Sequence, residues 1–99
     1  MNETKIAELK KKYGEIYRCT HGDQEYYFRK PGRIEYKRYY DKLMDSVYDA
    51  ACVLIFDLVI EPTIEELARQ VEKNPGLPIK IVGRLTDFFG SSTLEVQKL

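Results

Sequence analysis

The side chains from which enzymes most often build reactive centres are scarce in this sequence of 99 residues. It has one histidine, two cysteines and no tryptophan. His21 stands alone, and Cys19 and Cys52 do not form a CxxC pair. Since structural zinc sites need a cluster of Cys and His ligands, the sequence predicts no metal site. It also offers no recognisable catalytic group, so we expect a protein that is not an enzyme.

Long hydrophobic runs and nucleotide-binding loops are also missing. The longest apolar stretch, residues 50–60, is interrupted by Asp57 and is shorter than the roughly 20 residues that a membrane span needs. The first twelve residues lack the apolar stretch of a signal peptide, and two cysteines make no disulfide framework. No GxGxxG or GKS/GKT pattern occurs. We therefore expect a cytoplasmic protein with no cofactor and no membrane contact.

An overall excess of either charge is absent, but charge is divided along the chain. Sixteen Lys and Arg residues balance sixteen Asp and Glu residues. Residues 1–44 hold eleven basic and seven acidic residues, a net charge of +4, and residues 45–99 hold five and nine, a net charge of −4. The neutral whole argues against a surface built for nucleic acid. The two halves can attract one another within a fold or between copies.

The pattern over residues 15–30 predicts a β-hairpin in which Gly22 and Asp23 form a two-residue turn. That turn would place Cys19 opposite Tyr26, with Tyr17, Cys19, Tyr26 and Phe28 on one apolar face. The polar face would carry Arg18, Thr20, Glu25, Tyr27 and Arg29. Because an isolated hairpin is marginal in water, we expect its apolar face to pack on helices.

Helical spacing of apolar residues predicts helices over residues 3–12, 33–44, 47–60, 64–73 and 77–89. The expected buried stripes are Tyr36, Tyr39, Tyr40 and Leu43, then Ile64, Leu67, Ala68 and Val71, then Leu77, Ile81, Leu85 and Phe88. The helix over 47–60 is apolar nearly all round, which indicates a central helix or a second face for a partner. The predicted fold class is α+β and mostly helical, with an N-terminal two-stranded hairpin packed on about four helices. Residues 1–90 would form one domain and residues 91–99 a flexible tail.

Two carboxylates interrupt the apolar helix, Asp49 and Asp57. They could serve as an acid–base pair only with help from other helices. We favour a structural role, in which a partly buried carboxylate pairs with Arg84, Arg69 or Lys80, because buried charges normally need a partner.

The most distinctive stretch is Tyr26 to Tyr40, in which aromatic and basic residues alternate. Its tyrosines can be core residues, anchors of a protein interface or platforms for bases, and we favour these three interpretations in that order. The composition gives five candidate partner-binding residues, namely Arg29, Arg33, Tyr36, Lys37 and Tyr40.

The order of these elements resembles the tail assembly chaperones of long-tailed bacteriophages and prophages of Gram-positive hosts. The resemblance covers roughly residues 13–90. Its most specific segments are Tyr27-Phe28-Arg29-Lys30-Pro31, where the hairpin meets the next helix, and Asn74-Pro75-Gly76-Leu77-Pro78 before the last helix.

This resemblance implies a non-enzymatic protein that binds the helical tape-measure protein in the host cytoplasm while the tail tube forms around it. Such chaperones are generally absent from the finished virion. The implied partner is a tape-measure protein or another amphipathic helix, with self-association as a further expectation. The alternative is a small nucleic-acid-binding module that uses residues 26–40.

Overall fold

The protein has a mostly helical α+β fold, as predicted, and the described residues form five α-helices and a three-stranded antiparallel sheet where about four helices and a two-stranded hairpin were expected. The computed structural model describes residues 2–89 and 94–99. The elements are α1 (Glu3–Tyr13), β1 (Ile16–His21), β2 (Gln24–Arg29), α2 (Arg33–Leu43), α3 (Val47–Leu58), β3 (Val59–Glu61), α4 (Ile64–Lys73) and α5 (Leu77–Leu85), followed by a short 3-10 helix, Thr86–Phe88. None of the described helices is both long and apolar enough to cross a membrane. The predicted boundary between domain and tail lies at residues 90–91, outside the described residues.

The predicted hairpin and its register are confirmed. Strands β1 and β2 pair antiparallel, with Cys19 opposite Tyr26 and Thr20 opposite Glu25. Gly22 occupies the first central position of the turn with a φ of 60°, and Asp23 has no positive φ. This combination is typical of a type II′ turn, whose twist suits a two-residue hairpin and which needs glycine at that position.

A third strand corrects the prediction of a two-stranded hairpin and of a helix that reaches residue 60. Helix α3 ends at Leu58, and Val59–Glu61 pairs antiparallel with β2, with Val59 opposite Phe28. Both the local sequence and a tertiary contact explain why this segment is a strand. Val59 and Ile60 are β-branched, and Pro62 disfavours helical backbone in the residue before it. The edge of β2 supplies the hydrogen-bonding partner for this segment.

The same third strand makes β2 the centre of the sheet and changes the environment of Tyr27. The alternation placed Tyr27 on the polar face, but its side chain is only 3% exposed. It has a neighbouring strand on each side, Arg18 being opposite in β1 and Glu61 in β3. Its hydroxyl donates a hydrogen bond of 2.6 Å to a carboxylate oxygen of Glu25.

Helix α3 is the central element of the core and packs against α2, α5 and β2. Its fully buried residues are Ala50, Ala51, Leu54, Ile55 and Leu58. Except for Ala50, these residues form one core cluster with Tyr26 and Phe28 from the apolar face of the hairpin and with Leu67, Leu77, Ile81, Val82 and Leu85. The predicted packing of the hairpin face on helices is therefore confirmed.

Three residues predicted to face inward are instead largely exposed. Ile64, in the first turn of α4, is 56% exposed, and Tyr40 near the end of α2 is 55% exposed. Phe88 is 59% exposed because α5 ends at Leu85, and the tighter 3-10 turn that follows rotates Phe88 off the α5 stripe.

The charged residues of α3 also differ from the expectation. Asp57 pairs with Arg38 at 2.8 Å, and not with Arg84, Arg69 or Lys80. The reason is that α2 packs along α3 and brings Arg38 beside Asp57, whereas Arg69 pairs with Glu66 within α4. Asp49 is exposed, and its backbone N–H donates to the Ser46 hydroxyl that caps the helix.

Candidate partner-binding groove

The junction between β2 and α2 creates a change of chain direction at the surface. Pro31 cannot donate to a strand ladder and lies two residues after Arg29, the last residue of β2. Gly32 caps α2 in extended backbone, and its N–H donates a 2.9 Å hydrogen bond to Glu35 of the first turn. This bond satisfies one of the donors that a helix N-terminus leaves open, and it closes the first turn of α2.

Beside this junction lies an open groove of about 650 Å³. Its lining consists of Lys30, Pro31, Gly32, Arg33, Tyr36, Lys37, Tyr40 and Phe89. Four of the five residues predicted from composition, Arg33, Tyr36, Lys37 and Tyr40, thus come together on one turn-and-helix surface. They do so because their spacing places them along one side of α2.

The floor of the groove is aromatic. The rings of Tyr36 and Tyr40 have centroids 5.1 Å apart, and Phe89 meets Tyr36 edge to face at 5.9 Å. Aromatic pairs prefer tilted or edge-to-face geometry at these distances, so the contacts hold the rings in place. Burial, followed by the hydrogen bond and charge of Tyr40, raises the pKa of the Tyr36 hydroxyl, which stays protonated at neutral pH and can donate a hydrogen bond.

Three cations stand at the rim, and they differ in their partners. Lys37 pairs with Asp41 one turn along α2 at 2.7 Å, and Lys30 approaches Glu15 at 3.4 Å. Arg33 has no ion-pair partner within the part of the chain that the structure describes. Arg33 is therefore the group best placed to meet an acidic ligand.

The fifth predicted residue, Arg29, lies outside the groove lining. Its guanidinium donates to Glu35 at 2.8 Å and to the backbone carbonyl of Asp57 at 3.0 Å. It thereby ties β2 to α2 and α3. The Arg29 hydrogen bond and the Gly32 N–H together lower the pKa of the Glu35 carboxyl. The structure gives Arg29 a positioning role at the base of α2.

Sequence reasoning missed Lys30, Pro31, Gly32 and Phe89 as groove residues. The first three adjoin the predicted set, and the Pro-Gly break was the signal that they border a surface. Phe89 is distant in sequence, and no local pattern links it to α2. Only the return of the chain after α5 places it against Tyr36.

The groove combines an aromatic surface with positive charge. Its lining contains aromatic rings and cations but no histidine, cysteine or carboxylate. Across residues 2–89 and 94–99, no three His, Cys, Asp or Glu side chains cluster in a way that could hold a metal ion. The arrangement can bind apolar side chains on its floor and acidic groups at its rim.

Comparisons with known proteins give one family and one structural neighbour, and neither description states an activity. A model described as "Domain of unknown function (DUF6848)" matches residues 9–98. The chain belongs to this family. A solved structure of an uncharacterised protein, rbstp2171 from Bacillus stearothermophilus, is 29% identical, with a TM-score of 0.76 over 94% of this chain and 99% of that chain. No curated protein matches the chain. The DUF6848 match includes nearly all of the segment after the 3-10 helix, which therefore belongs to the family domain.

Proposed function

We propose that this protein is a non-enzymatic assembly chaperone that binds an amphipathic partner helix in the groove on α2. The observation that carries the proposal is the groove itself, in which an exposed aromatic floor adjoins Arg33 and two lysines. Helix-in-groove recognition uses apolar anchors spaced one turn apart, and cations beside the groove select acidic residues on the partner. The ligand class is thus an amphipathic helix with a polar face rich in Asp and Glu.

Exposed apolar side chains extend this surface along α2. Ile34 is 73% exposed and stands beside Arg33 and Lys37, and Met44 and Val47 at the turn after α2 are 89% and 61% exposed. Clustered exposed apolar residues commonly mark protein interaction sites. A partner helix longer than the groove would find further contacts in these side chains.

The partner that we propose is the tape-measure protein of a bacteriophage or prophage tail. This step rests on the order of elements that resembles the tail assembly chaperones, from the hairpin through Arg29-Lys30-Pro31 to the helix that follows Asn74-Pro75-Gly76. A long helix that awaits the tail tube exposes apolar surface in the host cytoplasm. A small domain with an aromatic groove can cover that surface without changing it chemically.

The test is binding of the full chain to overlapping helical segments of the tape-measure protein encoded beside its gene, measured by calorimetry. We expect at least one segment to bind, and Tyr40→Ala and Arg33→Glu each to weaken that binding by about tenfold, as loss of one interface anchor does. Lys11→Glu, the same charge reversal on the exposed surface of α1, is the matched control and should bind as the wild type does. If no segment binds, or if all three variants bind equally, the proposal fails.

A second candidate function has one specific observation in its favour. Tyr36 and Tyr40 lie among Lys30, Arg33 and Lys37, which is the combination that stacks bases and contacts phosphates in single-stranded nucleic acid. Titration of single-stranded DNA and RNA at several salt concentrations tests it. Binding that weakens steeply with salt and is lost in Tyr40→Ala would favour nucleic acid over a helix.

A further inference from the structure

Strand β1 lies at an edge of the sheet. The sheet order is β1-β2-β3, so among the described residues β1 has a neighbouring strand on one side only. His21 and Gln24 close the two-residue turn as a hydrogen-bonded pair, and hydrogen-bonded pairs alternate along an antiparallel ladder. The backbone groups of Arg18 and Thr20 therefore point away from β2, and no bond outside the hairpin occupies them among the described residues.

A trough runs beside this edge, between β1 and α5. Two adjoining cavities of about 350 and 180 Å³ form it, and both are lined by Cys19, Thr20 and Arg84. Tyr17, Leu85 and Phe88 add apolar surface at one end. No residue of the groove on α2 lines the trough, so the two surfaces are separate.

One described segment has the complementary pattern. Residues 94–99 form no secondary structure, and the side chains of Leu94 and Val96 are 82% and 89% exposed. In an extended chain these two side chains share a face, while Glu95 between them points to the other face. The segment up to residue 98 lies within the family match.

We propose that residues 94–98 of one copy of this protein add as a fourth strand to the β1 edge of a second copy. Residues that lie opposite one another in a sheet share a face. Leu94 and Val96 then lie on the face of Tyr17 and Cys19 and enter the trough. With Leu94 and Val96 opposite Tyr17 and Cys19, Glu95 between them lies opposite Arg18 whether the added strand runs parallel or antiparallel.

Charge supports the second copy as the occupant. Arg18, which is exposed beside the trough, has no ion-pair partner within the described ranges. Glu95 of the arriving strand supplies a carboxylate. In its own chain this segment leaves its apolar side chains uncovered. When each copy gives its segment and receives one, the exchange closes as a two-fold dimer and covers an edge strand that would otherwise invite open-ended association.

The test is sedimentation equilibrium of the full chain from micromolar to millimolar concentration. We expect a monomer–dimer equilibrium. Val96→Asp should weaken the dimer by at least about tenfold, because it removes an apolar contact with Tyr17, Leu85 and Phe88 and brings a carboxylate near Asp87, which also lines the trough. Gln97→Asp adds the same charge at the neighbouring position, on the opposite face of the segment, and should change dimerisation little.

A charge-reversal cycle tests whether Glu95 of one copy lies opposite Arg18 in β1 of the second copy. Arg18→Glu and Glu95→Lys should each weaken the dimer, and the two changes combined in one chain should restore it to within about twofold, as expected for directly opposed charges. Circular dichroism of each variant confirms that the fold is retained. A chain that stays monomeric, equal effects of Val96→Asp and Gln97→Asp, or no rescue in the double variant each overturns the proposal. A monomer whose residues 94–98 are protected from hydrogen exchange would place the segment on its own chain and also overturn it.

Discussion

Replacement of Arg29 by methionine tests whether Arg29 stabilises the fold beside the groove, whereas Lys37, which lines the groove, does not. The guanidinium makes two hydrogen bonds, to Glu35 and to the Asp57 carbonyl, and methionine keeps most of the apolar stem while removing both. A hydrogen bond from a charged group contributes about 1.5 kcal/mol at the low end of its range. The Arg29 side chain is 30% exposed, so solvent screens part of the contribution of the two bonds. We therefore expect Arg29→Met to lower the free energy of unfolding by about 2 kcal/mol.

In a domain of this size such a loss lowers the melting temperature by about 10 °C. The measurement is thermal unfolding followed by circular dichroism. Lys37→Met is the matched control, because Lys37 is 76% exposed and pairs only with Asp41, and its loss should change stability by less than about 0.5 kcal/mol. If Arg29→Met melts within about 2 °C of the wild type, the role that the structure gives Arg29 is wrong.

Three further expectations follow from particular side chains. The Arg29 guanidinium and the Gly32 N–H hold the folded-state pKa of Glu35 below its ordinary value, so the stability from the pair with Arg29 is present above the unfolded-state pKa and is lost as the pH falls through the folded-state pKa; the difference in melting temperature between wild type and Arg29→Met should shrink in acid. Tyr26→Phe should leave stability unchanged or raise it by up to about 1 kcal/mol in urea unfolding, because the buried Tyr26 hydroxyl has no partner in the described part of the chain. Leu54→Ala should cost about 3 kcal/mol in the same assay since Leu54 is fully buried, whereas Ile64→Ala, at a position 56% exposed, should cost less than about 1 kcal/mol; equal costs would contradict the observed burial.

The hairpin shows how far local rules reach. Its register follows from Gly22-Asp23 and from the alternation of Tyr17, Cys19, Tyr26 and Phe28, and the structure agrees at every pair. The start of α4 at residue 64, as predicted, is also a local matter, since the structure shows that the Thr63 hydroxyl caps the helix by accepting from the N–H of Glu66. Prediction succeeded here because each feature depends on residues only a few positions apart.

Prediction failed where the outcome depends on contacts between segments that are distant in the sequence. Val59 and Ile60 continue an apolar helical pattern, but this segment pairs with the edge of β2 as a strand. Asp57 needed a cation, but which cation depends on how α2 packs against α3. Tyr40 fits a buried helical stripe, yet the packing leaves it exposed at the groove. None of these outcomes follows from spacing alone.

The sequence by itself determined the fold class, the hairpin and most of the residues along α2 that line the groove, because periodicity and turn chemistry act over a few residues. The tertiary structure alone decided that Phe89 meets Tyr36, that Arg29 positions the start of α2 instead of lining the groove, and that β1 keeps a free edge beside α5. Those features depend on which distant segments pack together, and that is set by the burial of apolar surface across the whole chain.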